Sequence, residues 1–255
     1  LFEMANIRNQ CSWVHSKEKE AATEKAKDLV RMAVARAQLI RPLPQPTVPV
    51  EPKALIIGGG ISGMAAALGL AEQGFKAYIV EQSDQLGGNA LLLAETWQGD
   101  EVPVQLGEMV KQVQDHPLIE VYTGASIKES TGFIGNFKTV ITQDGKDTEV
   151  EHGAIIIAVG AEEYKPEEYL YGQHPKVMTH LEFDSALKES DERIKSAKTA
   201  VFIQCVGSRI PERPYCSKVC CTHSIRSALA LKEMNPDMDV FILYRDIRTY
   251  GQREE

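Results

Sequence analysis

Ala54-Leu-Ile-Ile-Gly58-Gly-Gly60-Ile-Ser-Gly63-Met-Ala-Ala-Ala-Leu-Gly-Leu-Ala-Glu-Gln-Gly74-Phe-Lys-Ala-Tyr-Ile-Val-Glu81 is the stretch from which the rest of the chain is read. Ala54 to Ile57 is an apolar run of the kind that forms a buried parallel strand. It delivers the chain into Gly58-x-Gly60-x-x-Gly63, which opens a helix rich in Ala and Leu. The helix stops at Gly74, and a second apolar strand, Ala77 to Val80, ends on Glu81. In a dinucleotide-binding βαβ unit each of these residues has a physical task. Gly58 permits the tight turn, Gly60 lets backbone approach a pyrophosphate, and Gly63 allows close packing of helix on sheet. The free amides at the helix start face phosphate charge. Glu81 accepts from a ribose 2′-hydroxyl and repels a 2′-phosphate, which makes NADP a poor fit. A lone GxGxxG is weak evidence; strand, glycines, helix, second strand and acid in that order are much stronger.

The chain of 255 residues is 43% apolar, enough for one large or two small globular domains. No apolar run reaches the length of a membrane span, and the first residues lack a signal peptide's basic and apolar regions. A cytoplasmic location is therefore expected. The chain opens at Leu1 as if in mid-element, so a fragment is expected. A net charge of -8 argues against nucleic acid as a partner.

Residues 1 to 15 carry an isolated Cys11, readable as a core thiol or as a ligand completed from elsewhere. From Ser16 a helical pattern runs with Ala22, Ala26, Leu29, Val30, Ala33, Val34 and Ala37 at helical spacing. Its mixed charge favours a packing helix over a membrane-surface one. Arg41 to Pro52 holds five prolines in twelve residues, an extended linker. The expected division is an N-terminal segment over 1–41, a linker over 42–52, a Rossmann-like α/β domain over 53–197 and a partial second βαβ unit over 198–255.

Beyond Glu81 and Gln82, Gly87-Gly88-Asn89 supplies a second glycine pair for close backbone approach. Pro103 to Gln114 reads as a helix, Ile119 to Tyr122 as a strand, and the residues to Glu151 as a meander with a hairpin at Asp144-Gly145. Ala154 to Ala161 reads as a central parallel strand buried on both faces. Ala200 to Val206, His223 to Met234 and Asp239 to Tyr244 form a second strand–helix–strand unit, with cysteines where its glycines would stand.

That loop is Cys205-Val-Gly-Ser-Arg-Ile-Pro-Glu-Arg-Pro-Tyr-Cys216-Ser-Lys-Val-Cys220-Cys221, four of the five cysteines within seventeen residues. Scattered buried thiols, a disulfide or redox pair, and metal ligation compete as readings. Clustering favours metal. The spacing does not resemble the paired Cys-x2-Cys knuckles of structural zinc, so an iron-sulfur cluster leads and zinc stands as the alternative. Pro211 and Pro214 stiffen the loop, and Arg209 and Arg213 would offset thiolate charge or sit solvated. His223 is a fifth candidate ligand or a polar group at a helix start.

With both motifs in view, the sequence resembles the A-type subunits of heterodisulfide reductase. The resemblance rests on Ala5-Asn-Ile-Arg-Asn-Gln-Cys-Ser-Trp-Val-His15, Ala54 to Gly63 with Glu81, Gln204-Cys-Val-Gly-Ser-Arg209 and Tyr215-Cys-Ser-Lys-Val-Cys-Cys221. It implies a thioredoxin-reductase-like domain that binds FAD, together with [4Fe-4S] clusters, in an electron-transfer subunit that in some members bifurcates electrons. It implies partner subunits of a redox complex, similar to the B-type and C-type subunits and linked to hydrogenase or NADH. By the same resemblance Gly58, Gly59, Gly60, Ile61, Ser62, Gly63, Glu81 and Gln82 hold the ADP half of FAD. Gly87, Gly88 and Asn89 lie near its pyrophosphate and ribityl chain, Ile127 reaches the adenine through its backbone, and Ala158 and Gly160 close over the cofactor. Cys205, Cys216, Cys220 and Cys221 hold the cluster. No catalytic acid or base is implied. The Gly-Asp element that completes the family's flavin site lies outside the sequence, which predicts weak FAD binding or none. Two rivals are an NAD(P)H-dependent disulfide reductase, which lacks its Cys-x-x-Cys, and a non-catalytic assembly module with a structural metal.

Overall fold

The computed structural model of the chain describes residues 2–45 and 47–250. It divides into two compact units, Leu1–Val48 and Pro49–Glu255.

In the first unit a π-helical turn, Arg8–Ser12, precedes α1, Lys19–Leu39. Cys11 is buried, and its thiol donates to the carbonyl of Ala22 at 2.7 Å. The helix begins three residues later than the pattern from Ser16 suggests. Residues 13–17 are still turning, and Glu18 has a non-helical φ of -124°. No residue of α1 is fully buried, but Ala22, Ala26, Leu29 and Ala33 of its apolar stripe are half-buried.

The second unit is built on a parallel sheet. Strands β1 (Lys53–Ile57), β2 (Lys76–Val80), β3 (Ile119–Tyr122) and β7 (Ala154–Ile157) lie in the order β3-β2-β1-β7. Helix α2, Ile61–Glu72, crosses from β1 to β2. Its Met64, Ala67 and Ala71 are buried with Ile56 and Ile79, joined by Leu106 and Val113 of α3, Val102–Asp115. The helix ends at Glu72 and is capped through Gly74. Gly74, at φ +85°, donates to Ala71 O and Phe75 donates to Leu70 O, the paired bonds of a Schellman cap that a residue with a Cβ adopts only under strain.

The meander between β3 and β7 is an antiparallel sheet of β4 (Ala125–Phe133), β5 (Asn136–Gln143) and β6 (Lys146–His152). Asp144 and Gly145 both take positive φ, 51° and 74°, the geometry of the expected tight hairpin. This sheet covers the other face of the parallel one through Leu55, Tyr78, Val80, Ile141 and Val150.

Ala154 to Ala161 departs from expectation. Only Ala154–Ile157 is strand, and it is the edge of the sheet, with Ile157 74% exposed. An apolar run marks a strand made to be covered on both faces, and only β1 pairs with it among the described residues. The end of the proline-rich stretch is also structural, because Pro49 O accepts from Asn136 and Glu51 donates to Gly135 O.

The second strand–helix–strand unit is present. β8 (Thr199–Ile203) and β9 (Asp239–Leu243) pair in parallel, with α6, Cys220–Met234, between them. Helix α4, His180–Lys188, packs Phe183 and Ala186 against Leu231 and Met238. The short α5, Glu192–Lys195, leads into β8.

Candidate functional site

Gly58 leaves β1 with φ +107°, and a Cβ there would overlap Ala158 O. Ala158 is held in place by donating to Ile57 O at 2.8 Å. A Cβ on Gly63 would overlap Gly58 O, whereas one on Gly60 would meet nothing within 4 Å. Gly58 and Gly63 are thus demanded by the protein's own packing. Gly60 is not, and its open side is a place for a ligand.

Gly60 is the N-cap of α2, and no side chain caps the helix. Ile61 and Ser62 are exposed in the first turn. Unpartnered helix amides beside open space suit a phosphate.

The second glycine pair meets the first. Gly87 donates to Gly59 O at 2.9 Å, Gly60 and Gly87 form a parallel bridge, and a Cβ on Gly88 would lie 3.3 Å from Gly60 Cα. Gly87 and Gly88 have φ of +125° and +53°. Sequence spacing put the two pairs near one cofactor; the structure joins them into one cradle.

Glu81 stands at the end of β2. Its Oε2 accepts from Gly59 N at 2.6 Å, and its Oε1 accepts from Ser83 N and Oγ at 2.8 and 2.7 Å. Burial would raise its pKa, but the donors Ser83 and Gly59 outweigh it and hold the carboxyl below the usual carboxylate range. An ionised acceptor is thereby fixed beside the glycine loop. Ser83 is invisible to a reading of the sequence, since a serine two residues past an acid carries no pattern of its own.

The remaining dinucleotide candidates fall at varied places. Gln82 is exposed beside Glu81. Asn89 donates its side-chain amide to Ala161 O at 2.9 Å, tying the second glycine loop to the segment after β7. Gly160, at φ +69°, lies in that segment with open space around its Cβ position. Ile127 of β4 pairs with Ile141 of β5 and packs on the Leu55 and Tyr78 cluster. It stands two residues beyond Ala125, whose N–H donates to Glu81 O.

The cysteine loop folds differently from an open loop. Cys205 follows β8 at φ +62°, Cys216 lies in the loop, and Cys220 and Cys221 occupy the first turn of α6. The helix starts three residues earlier than His223. The loop is closed on itself by Arg209 N to Tyr215 O, Ser208 Oγ to Tyr215 O and a tight turn from Ile210 to Arg213. The guanidinium of Arg209 reaches Cys205 Sγ at 3.8 Å and pairs with Asp246. The amide of Lys218 lowers the Cys216 pKa, while burial raises that of Cys221. The thiols are free, and no group of three or more His, Cys, Asp or Glu side chains is gathered for a metal among the described residues. His223 turns instead to Asp184, with Nε2 3.1 Å from Oδ1.

Behind the loop lies a polar network that sequence spacing did not announce. Gln204 donates to the fully buried Ser224, which also bonds His180 Nε2 at 2.6 Å. Burial and the neighbouring His223 press His180 down to about 4, so its imidazole is neutral. Arg226 of α6 binds Glu95 at 2.9 Å across 131 residues. Separations this long leave no trace in local periodicity.

Residues 52–207 match the family described as pyridine nucleotide-disulphide oxidoreductase. The chain belongs to that family. It is 33% identical, over its whole length, to a protein of Methanopyrus kandleri named as the first A-type iron-sulfur subunit of CoB--CoM heterodisulfide reductase. It is 34% identical over 99% of its length to the A-type subunit of H(2):CoB-CoM heterodisulfide,ferredoxin reductase from Methanothermobacter thermautotrophicus. Either match takes in 52% of the relative, so the chain spans about half the length of the curated relatives it matches. Among solved structures, thioredoxin reductase of Lactococcus lactis in its FR conformation overlaps with a TM-score of 0.49 and 19% identity. That match covers 78% of this chain and 58% of the other. This pyridine nucleotide-disulphide oxidoreductase chain is thus similar in sequence, throughout its length, to A-type subunits of heterodisulfide reductases. No helix among its described residues is long and apolar enough to cross a membrane.

Proposed function

We propose that the chain forms the FAD-binding part of an electron-transfer subunit in a complex similar to heterodisulfide reductase. The observation that carries this reading is the cradle of Gly59–Gly60 and Gly87–Gly88, open above Gly60 and flanked by the fixed carboxylate of Glu81. FAD, when bound, supplies exchange between two-electron and one-electron transfer. The chain's own residues bind and orient it. Amides of Gly60 to Gly63 face the pyrophosphate while that of Gly59 holds Glu81, Glu81 accepts from the ribose of the ADP half, and Gly87, Gly88 and Asn89 bound the pyrophosphate and ribityl side. Ala158 and Gly160 flank the cofactor beyond β7, and the backbone near Ile127 takes the adenine.

In this reading Cys205, Cys216, Cys220 and Cys221 hold a [4Fe-4S] cluster. Four soft thiols on one strand–loop–helix are the right donor set. Their side chains are not gathered in the present arrangement, so ligation requires the loop to draw in around the metal. The relatives' names support membership of a multi-subunit heterodisulfide reductase complex. The wider role in this proposal is a cytoplasmic relay, bifurcating in some complexes, with B- and C-like partner subunits and a hydrogenase- or NADH-linked donor. The test is iron and acid-labile sulfide analysis of protein purified without oxygen, with its visible spectrum. Iron and sulfide in equal amounts, lost on replacing Cys220 by Ser, are expected. Zinc without sulfide would remove the cluster from the proposal.

A further inference from the structure

The segment after β7, which hangs from the dinucleotide cradle, makes a contact of its own with the cysteine loop. Tyr164 is the point of contact. One edge of its ring fills the space where Gly207 would carry a Cβ, and the Arg213 guanidinium lies over its face at 3.9 Å from the centroid. Gly207 also takes φ +66°, so glycine is required there twice over, by backbone and by the ring.

The segment is anchored on both sides of Tyr164. Three residues before it, Ala161 O accepts from Asn89, next to Gly88 of the cradle. Glu163 accepts from Thr179 Oγ1 at 2.6 Å and from Leu181 N at 3.1 Å, at the start of α4. Lys165 bridges Glu163 and Glu182, each at 3.0 Å. Residues 161–165 therefore form a strap with one end on the glycine loop, its middle on α4 and its tyrosine on the loop of Cys205 and Cys216.

We propose that Tyr164 is a positioning residue that sets the cysteine loop against the segment tied to the dinucleotide cradle. The inference rests on the proposed function only in naming what the two loops hold; the strap itself is a property of the chain. It explains why the loop bears Arg213 and Gly207 beside its thiols, features that thiol ligation alone does not require.

The test measures alkylation rates of the individual cysteines by mass spectrometry, on the full chain without FAD or metal. Tyr164→Ala is expected to raise the rates at Cys205 and Cys216 about tenfold, the value of a cation–π contact with its packing. Cys221, buried in the first turn of α6, stays within about twofold, because local release of the loop does not open the helix. Tyr164→Phe keeps ring and cation and restores wild-type rates. Arg213→Gln, a milder change, raises the same two rates by a smaller factor, and so does Asn89→Ala, which cuts the strap at its far end. Unchanged rates in Tyr164→Ala, an equal rise at Cys221, failure of Tyr164→Phe to restore, or no effect of Asn89→Ala would each overturn the proposal. Should Tyr164→Ala not fold, Arg213→Gln and Asn89→Ala decide it alone. Loss of FAD binding in a separate titration would strike the proposed function and leave these rates as they are.

Discussion

The backbone N–H of Gly59 donates to Oε2 of Glu81 at 2.6 Å, joining the first turn of the glycine loop to the end of the next strand. The two residues are 22 apart in sequence, and the bond gives the acid a structural task of its own. Glu81 is thus held as an acceptor beside the glycine loop.

Glu81 should make stability depend on pH. Its folded pKa is lowered from 4.5, so its contribution is fully present above that value and is lost as pH falls through the lower folded one. Urea unfolding of wild type and Glu81→Gln should show wild type ahead at neutral pH, with the gap closing as pH falls below the ordinary carboxylate range. A gap independent of pH would contradict the assignment.

Two glycines three residues apart should respond oppositely to the same substitution. Gly63→Ala forces a methyl into Gly58 O and should cost about 1–3 kcal/mol in thermal or urea unfolding, the usual penalty of overpacking. Gly60→Ala meets open space at φ -74° and should leave the melting temperature nearly unchanged while weakening dinucleotide binding.

The parallel sheet, the crossover helix, the meander with its Asp144-Gly145 turn and the second βαβ unit were legible because their signals are local: apolar runs, period and turn residues. What escaped was decided by distant chain. The edge position of β7 depends on which strands flank it, and the start of α6 at Cys220 overrides a motif that reads as loop. Tyr164 and the Gln204–Ser224–His180 network act through contacts between segments far apart, where no spacing rule operates, and Ser83 acts over two residues but through a pattern with no signature of its own. The cysteines were legible as a cluster; the placing of Cys220 and Cys221 in the first turn of α6 was not.

Thr179 closes a capping box at the start of α4, its hydroxyl accepting from Glu182 N while Glu182 accepts from Thr179 N. Thr179→Ala should therefore cost about 1 kcal/mol of stability. Because Thr179 Oγ1 also donates to Glu163, hydrogen exchange should quicken in residues 161–165 of the same variant.

His180 should remain neutral through the range where ordinary histidines titrate. Burial first, then repulsion from His223, takes it from 6.5 to about 4. Its contribution to stability is present above 6.5 and is lost as pH falls towards 4. Imidazole resonances followed by NMR should show no inflection for His180 between about pH 5 and 7. A titration near 6.5 would mean that the site is open to water.

The central claim is that the joined glycine loops hold FAD. The most direct measurement is a titration of the purified chain with FAD, followed by quenching of flavin fluorescence, beside Gly60→Ala and Glu81→Gln. Saturable binding by wild type, weakened in both variants while their folds persist, is the predicted result. Binding that both variants leave untouched, or none by the folded wild-type chain, would contradict it.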